Sequence, residues 1–404
     1  MTCVYTLLLV FIYFNGIIFN LLPQLSFLSV WDEIITVILF FACLAKLFGR
    51  KRGRIKLDND FKFLVPWLIV VVIGLVGNAM WQYAGAGQAI IRDIVGFLKF
   101  PICFFALRYL KLDERLSNVF CKSFLTIVHI LICIMMLCAV ASLFLDIGMS
   151  QSEELRHGIH SFQFLFNHPN SFGLIMVMIL SVLDAIDDNV SQKKYLIFCL
   201  FLLVLTMRTK IIAFCAVYIF VKFGAKWAKK FKLLFILGSV VLVFSVAYSK
   251  LAVVITWSEA ARMRFWTESI NLLKDCFPIG SGFGTFASHI SGRYRSTLYS
   301  VLNIKEIFDQ NGNPTAVLGD TGYPYYIAQF GLLGLLLIAI SISKLIKIIG
   351  KDFKKGRPAY VMLAYLAIAL TGESTLLNAG FEIAVTMSIL LALKKSEYSM
   401  VRKR

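Results

Sequence analysis

Apolar segments of about 20 residues recur along this whole chain, and they constrain its fold more than any other feature. Such a segment crosses a bilayer as a helix, because a helix satisfies its own backbone hydrogen bonds in lipid. The chain of 404 residues is 59% hydrophobic and only 16% charged, which no soluble globular domain requires. The sequence therefore predicts an all-α polytopic membrane protein, in which residues 1–404 form a single integral-membrane domain.

Hydropathy and length predict about 12 transmembrane helices. Their centres lie near residues 12, 39, 71, 101, 133, 178, 201, 217, 241, 334, 365 and 386.

The formal net charge of +18 is concentrated in alternate connections between these spans. By the positive-inside rule those connections are cytoplasmic, and both termini are cytoplasmic with them. The basic excess can also contact anionic lipid. It does not indicate nucleic-acid binding, because no basic stretch is interleaved with aromatic residues on a soluble domain. The connections assigned to the outer side are 80–92, 147–168, 208–210, 250–322 and 373–379.

One connection, residues 250–322, is far longer than the others and contains no segment able to cross a bilayer. Helices in bundles are usually joined by two to eight residues. We therefore predict a large extracytoplasmic loop between helices 9 and 10, in which functional residues are expected. Thr256 and Glu259 have the spacing of a capping box, which predicts an amphipathic helix that ends before Pro278 and Gly280.

Cationic side chains on the predicted outer side are the first candidates for a binding site. Clustered arginines beside a membrane suit phosphate or pyrophosphate, which the guanidinium group binds in a bidentate manner. The alternative is that each cation pairs with a carboxylate or contacts a lipid headgroup. The candidates are Arg92, Lys99, Arg208, Lys210, Arg262, Arg264 and Arg293.

Orientation and depth distinguish some of these cations. Arg262 and Arg264 are two positions apart on a predicted helix, so they point about 200° apart and cannot both contact one ligand. Lys99 lies within a predicted span, where an ammonium group is costly and is a functional candidate for that reason. The alternative for Lys99 is structural pairing with Glu382, Asp93 or a backbone carbonyl.

Three further residues complete the candidate site. Asp320, in GDTGY just before a span, could act as a general base or a substrate anchor, or could cap the helix. His168, in HPNSFG, precedes a span that Pro169 is suited to start, so it is either a site residue or part of that turn. Gly282, in GSGFG, can offer its backbone N–H to an anion. A nucleotide fingerprint is not indicated, because no strand precedes these glycines.

The remaining motifs do not predict a metal site, and we expect no cofactor. His157 and His160 have metal-like spacing but lack a third convergent ligand, so a solvated loop is expected there. The FGRKRGR stretch at 48–54 resembles the loop signature of major-facilitator transporters without its aspartate. We interpret it as a stop-transfer cluster, with a transporter as an alternative.

Four segments together resemble the bacterial O-antigen polymerase and ligase superfamily, especially the Wzy-type polysaccharide polymerases. They are HPNSFG, LTMRTK, RMRFWTESINLLKDCFPIGSGFGTFASHIS and GDTGYPYYIAQFGLLGLLL, in that order between about residues 160 and 345. The resemblance implies a GT-C-like membrane glycosyltransferase that needs no cofactor. Its substrate would be an oligosaccharide linked to undecaprenyl pyrophosphate, and a chain-length regulator protein would be a partner.

The resemblance also implies a location and residue roles. The enzyme would lie in the bacterial plasma (inner) membrane with its site facing the periplasm or the cell exterior. Arg208 or Lys210 and Arg262 would contact pyrophosphate. Ligases of this superfamily commonly have a histidine where this chain has Asp320, which favours a polymerase over a ligase. A lipid-linked oligosaccharide flippase or other transporter stays an alternative.

Overall fold

The computed structural model of the protein describes most of the chain, and the span predicted near residue 241, His157 and Asp320 lie outside the described residues. The described residues are 2–48, 59–119, 123–156, 158–186, 190–230, 257–304, 307–308, 315, 318–319, 322–350, 353–377 and 381–401.

Most of the described residues form α-helices, numbered here along the chain. They are α1 (Thr2–Leu21), α2 (Trp31–Phe48), α3 (Asn59–Trp81), α4 (Gly87–Tyr109), α5 (Leu112–Val119), α6 (Leu125–Phe144), α7 (Pro169–Ile186), α8 (Val190–Leu205), α9 (Thr209–Lys230), α10 (Trp257–Asp275), α11 (His289–Arg293), α12 (Leu298–Val301), α13 (Gly322–Ile349), α14 (Phe353–Ala369) and α15 (Phe381–Val401). Short 3-10 turns occupy Pro23–Val30 and Thr375–Leu377.

The structure confirms a helical membrane protein. Four described helices, α1, α3, α6 and α13, are long and apolar enough to cross a membrane. Large apolar side chains point outward from them, such as Leu7, Val72 and Leu137, which are 63%, 60% and 73% exposed. Exposed apolar surface of that extent is stable only against lipid or another apolar surface. The amphipathic helix of the long loop is also confirmed, since α10 ends at Asp275, before Pro278.

A small β-hairpin departs from the all-α prediction. Strand β1 (Ser150–Arg156) pairs antiparallel with β2 (Ile159–Phe162), between α6 and α7. The stretch is rich in charged and polar residues. Its two strands are too short to show a periodicity that would distinguish strand from helix in the sequence. Strand β1 carries Gln151, whose side chain contacts the candidate site residue Arg208.

Several connections that the charge rule assigns to one side meet at one end of the bundle, called the loop end below. The N–H of Thr297 donates to the carbonyl oxygen of Tyr83, between α3 and α4, at 3.1 Å. The N–H of Gly322, at the start of α13, donates to Leu370 O after α14 at 2.9 Å. The α3–α4 connection, the long loop and the α14–α15 connection therefore share this end.

Ion pairs hold the helices together at the other end. Asp184 of α7 accepts hydrogen bonds from Nε and Nη2 of Arg357, both at 2.9 Å, and from Lys222 Nζ at 2.8 Å. Arg108 of α4 pairs with Asp60 of α3 at 2.9 Å. These pairs join α7, α9 and α14, and α3 and α4, where the basic connections begin.

Part of the long loop packs between helices. Residues 278–284, called the inserted segment below, contact α3, α4 and α13. Asn78 of α3 donates from Nδ2 to Phe283 O and accepts from Phe283 N–H at Oδ1, each at 2.8 Å. Asp93 of α4 accepts the N–H of Gly284 at 2.7 Å. These two side chains supply the partners that buried irregular backbone requires.

The inserted segment also fills a break in α13. At Gly331 the helix backbone takes φ 58° and ψ −163°, which interrupts its hydrogen bonds. The carbonyl oxygens of Ala328 and Gln329 accept instead from the N–H groups of Ser281 and Gly282, at 2.9 and 3.0 Å. Non-helical backbone is tolerated at membrane depth when it is buried in protein in this way.

Candidate functional site

Arg208 and Lys210 lie in the short connection between α8 and α9, where three other segments meet them. Arg208 Nη2 donates to Oε1 of Gln151 in β1 and lies 3.5 Å from Nε2 of His168. Lys210 Nζ forms an ion pair with Glu373, which follows α14. These five residues, called the cation cluster below, bring together β1, the start of α7, the α8–α9 connection and the end of α14.

The turn between α8 and α9 determines where Arg208 points. Met207 has a positive φ of 51°, which reverses the chain within a few residues. The N–H groups of Ile211 and Ile212 both donate to the carbonyl oxygen of Arg208 at 2.9 Å. Arg208 therefore sits at the N-terminus of α9, whose partial positive charge adds to that of the guanidinium group.

His168 has a defined orientation in the cation cluster. The N–H of Asn170 donates to Nδ1 of His168 at 3.1 Å, and α7 begins at Pro169, as the helix-start interpretation predicted. An accepting Nδ1 assigns the proton of a neutral ring to Nε2. The approach of Nε2 to Arg208 Nη2 then brings two N–H donors side by side, an arrangement that suits a shared anionic acceptor.

Glu373 is the counter-charge of Lys210. The two side chains are 10% and 15% exposed, so the pair is largely shielded from solvent. The N–H of Glu373 donates to Ala369 O at 2.9 Å, which ties the residue to the end of α14. Glu373 was not among the predicted site residues. Its only signal in the sequence is a single carboxylate in an outer connection that otherwise lacks charge.

Arg262 and Arg264 lie on different faces of α10, as their spacing predicted. Nη2 of Arg264 donates to the carbonyl oxygens of Leu302 and Asn303, at 3.0 and 2.9 Å, so this guanidinium joins α10 to the end of α12. Arg262 is one turn before Trp266, which points towards α13.

The contact of Trp266 with α13 shows which helices lie next to the face of α10 that carries Arg262. The ring centroids of Trp266 and Tyr323 are 5.9 Å apart. Tyr323 is in the first turn of α13, and its hydroxyl donates to Ala367 O at 2.9 Å. The face of α10 that carries Arg262 and Trp266 therefore borders the ends of α13 and α14, close to the stretch that holds Glu373.

Arg92 and Arg293 form a second group of cations at the loop end. Both are exposed, and the guanidinium carbon of Arg92 lies 5.8 Å from the ring centroid of Tyr294. Arg92 is on α4 and Arg293 ends α11, so the two approach the same surface of the inserted loop. Among the described residues, no hydrogen bond or ion pair joins either arginine to the cation cluster.

Lys99 is separate from the loop-end cations. Its Nζ lies 2.6 Å from Oδ2 of Asp32, 3.3 Å from Oε1 of Glu382 and 3.7 Å from Oε1 of Glu33. Lys99, Asp32 and Glu382 are almost fully buried. Lys99 therefore pairs with Glu382, as the structural interpretation of this lysine predicted, and it also pairs with Asp32. These four residues, called the buried ion cluster below, connect α2, α4 and α15.

The backbone conformation and the close packing at Gly282 require glycine. Its φ is +90°, and a Cβ at this position would lie 2.5 Å from the backbone nitrogen of Asn78. Its N–H donates to Gln329 O, and the neighbouring Gly284 N–H donates to Asp93. The amides that were predicted to contact an anion thus have internal acceptors, because the inserted segment uses them to complete the broken α13.

Other types of chemistry have little support in the described part of the chain. Within it, no group of three or more His, Cys, Asp and Glu side chains is arranged to hold a metal ion. His160 is exposed, and its Nδ1 lies 3.1 Å from Gln151 O in the hairpin. Burial, followed by the charge of Asp275, raises the pKa of the Cys276 thiol to about 11. Cys276 therefore remains protonated at neutral pH and is a poor nucleophile.

No protein-family model matches the sequence. A search of curated proteins also returned no match.

Proposed function

We propose that this protein is the polymerase of a bacterial surface polysaccharide. It transfers a growing glycan from undecaprenyl pyrophosphate to a lipid-linked oligosaccharide repeat unit. The observation that carries the proposal is the cation cluster, in which the α8–α9 connection brings Arg208 beside His168 from the start of α7 and Lys210 beside Glu373 from the end of α14. Neighbouring N–H donors of Arg208 and His168 suit an anion with several oxygens. Pyrophosphate is the anion that the four-segment resemblance implies.

The chemistry that we assign to this site is a displacement at the anomeric carbon of the donor sugar. A hydroxyl of the acceptor attacks that carbon, the bond from carbon to the pyrophosphate oxygen breaks, and its electron pair stays on the pyrophosphate. Arg208 and Lys210, with Arg262 from α10, stabilise the negative charge that develops on the leaving group. Nε2–H of His168 donates to the same group. Asp320 takes the proton of the attacking hydroxyl as general base.

The remaining predicted residues have supporting roles in this proposal. Arg92 and Arg293 contact the anionic or sugar part of the second lipid-linked substrate. Arg264 acts through its hydrogen bonds to Leu302 and Asn303, which fix α10 relative to the rest of the loop. Lys99 stabilises the helices that carry the site.

The proposal includes a topology and a location. The loop end faces the outside of the plasma membrane, because the basic connections favour the cytoplasm. The full set of twelve spans and a GT-C-like arrangement belong to the same proposal. The substrate is then assembled inside, moved across the membrane and polymerised outside.

A ligase of the same superfamily is a second candidate, and one observation favours it. A Cβ at Gly319 would lie 2.4 Å from Nε2 of His289, so a histidine side chain packs next to the residue that precedes Asp320. Another segment thus brings a histidine close to where ligases carry one in sequence. The broken helix α13 is a feature of transporters. However, its carbonyl groups at Ala328 and Gln329 are occupied by the inserted segment instead of lining a cavity.

Deleting the gene and resolving the surface glycans by gel electrophoresis tests the proposal. Loss of a polymerase leaves glycans that carry a single repeat unit, whereas loss of a ligase removes the attached glycan and loss of a flippase blocks surface delivery. Plasmid-borne wild-type protein and Arg115→Ala should restore long chains, since Arg115 is an exposed arginine on α5. Arg262→Ala should not. Unchanged chain length in the deletion strain would refute the proposal.

A further inference from the structure

An apolar groove runs beside α13, and the site described above does not use it. It has a volume of about 330 Å³, within the range of ligand pockets. One wall is formed by α3 and α4, and the other by α13 and α14. Only apolar and aromatic side chains line it, including Phe63, Trp67, Phe100, Tyr326 and Leu366.

The groove extends through most of the membrane thickness. On α13 its lining residues range from Tyr323 to Leu345. As an unbroken helix at 1.5 Å per residue this stretch would be about 33 Å long, comparable with the roughly 30 Å hydrocarbon core of a bilayer. The break at Gly331 lies within it. The exposed small side chains of Ala339 and Ala367 line the groove between the two helices. The groove therefore has the length and polarity to hold one extended hydrocarbon chain.

The loop end of the groove adjoins the cations of the proposed site. Tyr323, which lines this end, contacts Trp266, one turn from Arg262 on α10. Leu370 and Leu376 also line it, and Glu373, the ion-pair partner of Lys210, lies between them in the chain. An apolar channel that ends beside a group of cations matches an amphiphile with one chain and an anionic head.

We propose that this groove binds the polyprenyl chain of the lipid-linked substrate, with the pyrophosphate at the cation cluster. This inference rests on the proposed function and adds a binding site for the carrier. A single slot lined mainly by apolar side chains suits one polyprenyl chain better than the two acyl chains of a phospholipid. The two acyl chains of a phospholipid leave the head through ester groups that would need polar partners.

Photocrosslinking of the full-length protein in nanodiscs tests the proposal. The probe is hexaprenyl pyrophosphate with a diazirine on its terminal isoprene unit, because a chain of this length can reach the far end of the groove. Mass spectrometry should find the crosslink on residues that line the groove, such as Leu345 or Phe63. Excess undecaprenyl pyrophosphate should remove it, and excess phosphatidylglycerol should not. A crosslink on helices that do not line the groove, or equal competition by phosphatidylglycerol, would overturn the proposal.

A pair of variants on α13 supplies the matched control. Ala339→Trp fills the groove, whereas Ile340→Trp places the same side chain on a neighbouring exposed position that does not line it. Ala339→Trp should lower crosslinking by about tenfold or more, because several methylene groups lose their burial. Ile340→Trp should leave crosslinking unchanged. Equal crosslinking in both variants would contradict a polyprenyl chain in this groove.

The same variants separate failure of this inference from failure of the proposed function. If the chain binds elsewhere, Ala339→Trp still makes long glycans while Arg208→Ala does not. If the protein is not a polymerase, deletion of the gene leaves glycan length unchanged, whatever the crosslinking result. The polyprenyl groove is supported only if Ala339→Trp loses both crosslinking and long glycans.

Discussion

The cation cluster and the buried ion cluster place positive charge in opposite settings. In the cation cluster, Lys210 pairs with Glu373 and Arg208 contacts Gln151, and these side chains keep some exposure. In the buried ion cluster, Lys99 faces Asp32 and Glu382 and lies within helices. The first group lies where loops meet at the end of the bundle, and the second joins helices in a closed interior.

This contrast shows which observations distinguish a structural cation from a functional one in a membrane protein. Depth alone made Lys99 a functional candidate, because an ammonium group in a span is costly. Its carboxylate partners offset that cost and connect three helices, so it acts in folding. Arg208 is shallower, and it contacts Gln151 and lies beside His168 where several loops meet. The neighbours of a cation, more than its depth, therefore indicate whether it joins helices or lies at a candidate ligand site.

The largest expected effect is the loss of stability in Lys99→Met. The substitution keeps the side chain's length but removes the ammonium group that Asp32 and Glu382 face. Breaking a buried pair in this way costs about 3–5 kcal/mol. Thermal unfolding in detergent should show a lower Tm and the membrane should hold less protein. Lys62→Met, on an exposed lysine of α3, is the control and should behave as wild type. A wild-type Tm for Lys99→Met would mean that the cluster is not structural.

The second effect is the loss of activity in Arg208→Ala with folding retained. Removing one preorganised donor to a developing charge costs about 10²–10³-fold in rate. Polymerisation by purified protein should fall by that factor while Tm changes little. Lys99→Met should show the reverse pattern, with low abundance but near-normal rate per folded molecule. If Arg208→Ala instead lowers Tm and leaves the rate intact, the two clusters have been assigned the wrong way round.

The third effect is a loss of stability in the inserted segment, which is buried like the buried ion cluster but belongs to the long loop. Gly282→Ala introduces a Cβ against Asn78 at a φ of +90°. Such backbone strain costs about 1–3 kcal/mol. Gly87→Ala is a suitable control, because a Cβ there meets nothing within 4 Å. Tm should fall for Gly282→Ala alone. An unchanged Tm with lost activity would instead support a ligand contact at this glycine.

The smallest effect is expected for Glu373→Gln. Glutamine keeps an oxygen that can accept from Lys210 Nζ, so the loss is about 1 kcal/mol and the polymerisation rate should fall by no more than about fivefold. The rate falls because Lys210 loses the charge that orients its side chain. Glu268→Gln on α10 is the matched control, since Glu268 accepts a hydrogen bond from Asn271 on the same helix. A rate loss as large as that of Arg208→Ala would make Glu373 a catalytic group.

The sequence predicted the helical elements well because apolar length and periodicity are local properties. α10 and the start of α7 at Pro169 were found in this way. The inserted segment could not be found, since its glycines resemble any turn and its partners Asn78 and Asp93 are about 200 positions away in the chain. The break at Gly331 was missed for the same reason. Its flanking residues are mostly apolar, so the sequence predicts one continuous helix there.

The candidate site was predictable only in part. Arg208, Lys210 and His168 were identified from their positions on the predicted outer side, and the structure places Arg208 beside His168 and Lys210 beside Glu373. Glu373 and Gln151 were not identified, because nothing local marks a residue as the partner of a distant cation. Lys99 was identified by its cost in a span, but its role depends on Asp32, which belongs to another helix.

The most direct test of the central claim is polymerisation by purified protein in proteoliposomes that contain undecaprenyl-pyrophosphate-linked repeat units. Product lengths are resolved by gel electrophoresis. We expect a ladder of glycans with wild-type protein and with Arg115→Ala, and only the single repeat unit with Arg208→Ala. A ladder of equal length and intensity with Arg208→Ala, or no ladder with folded wild-type protein, would contradict it.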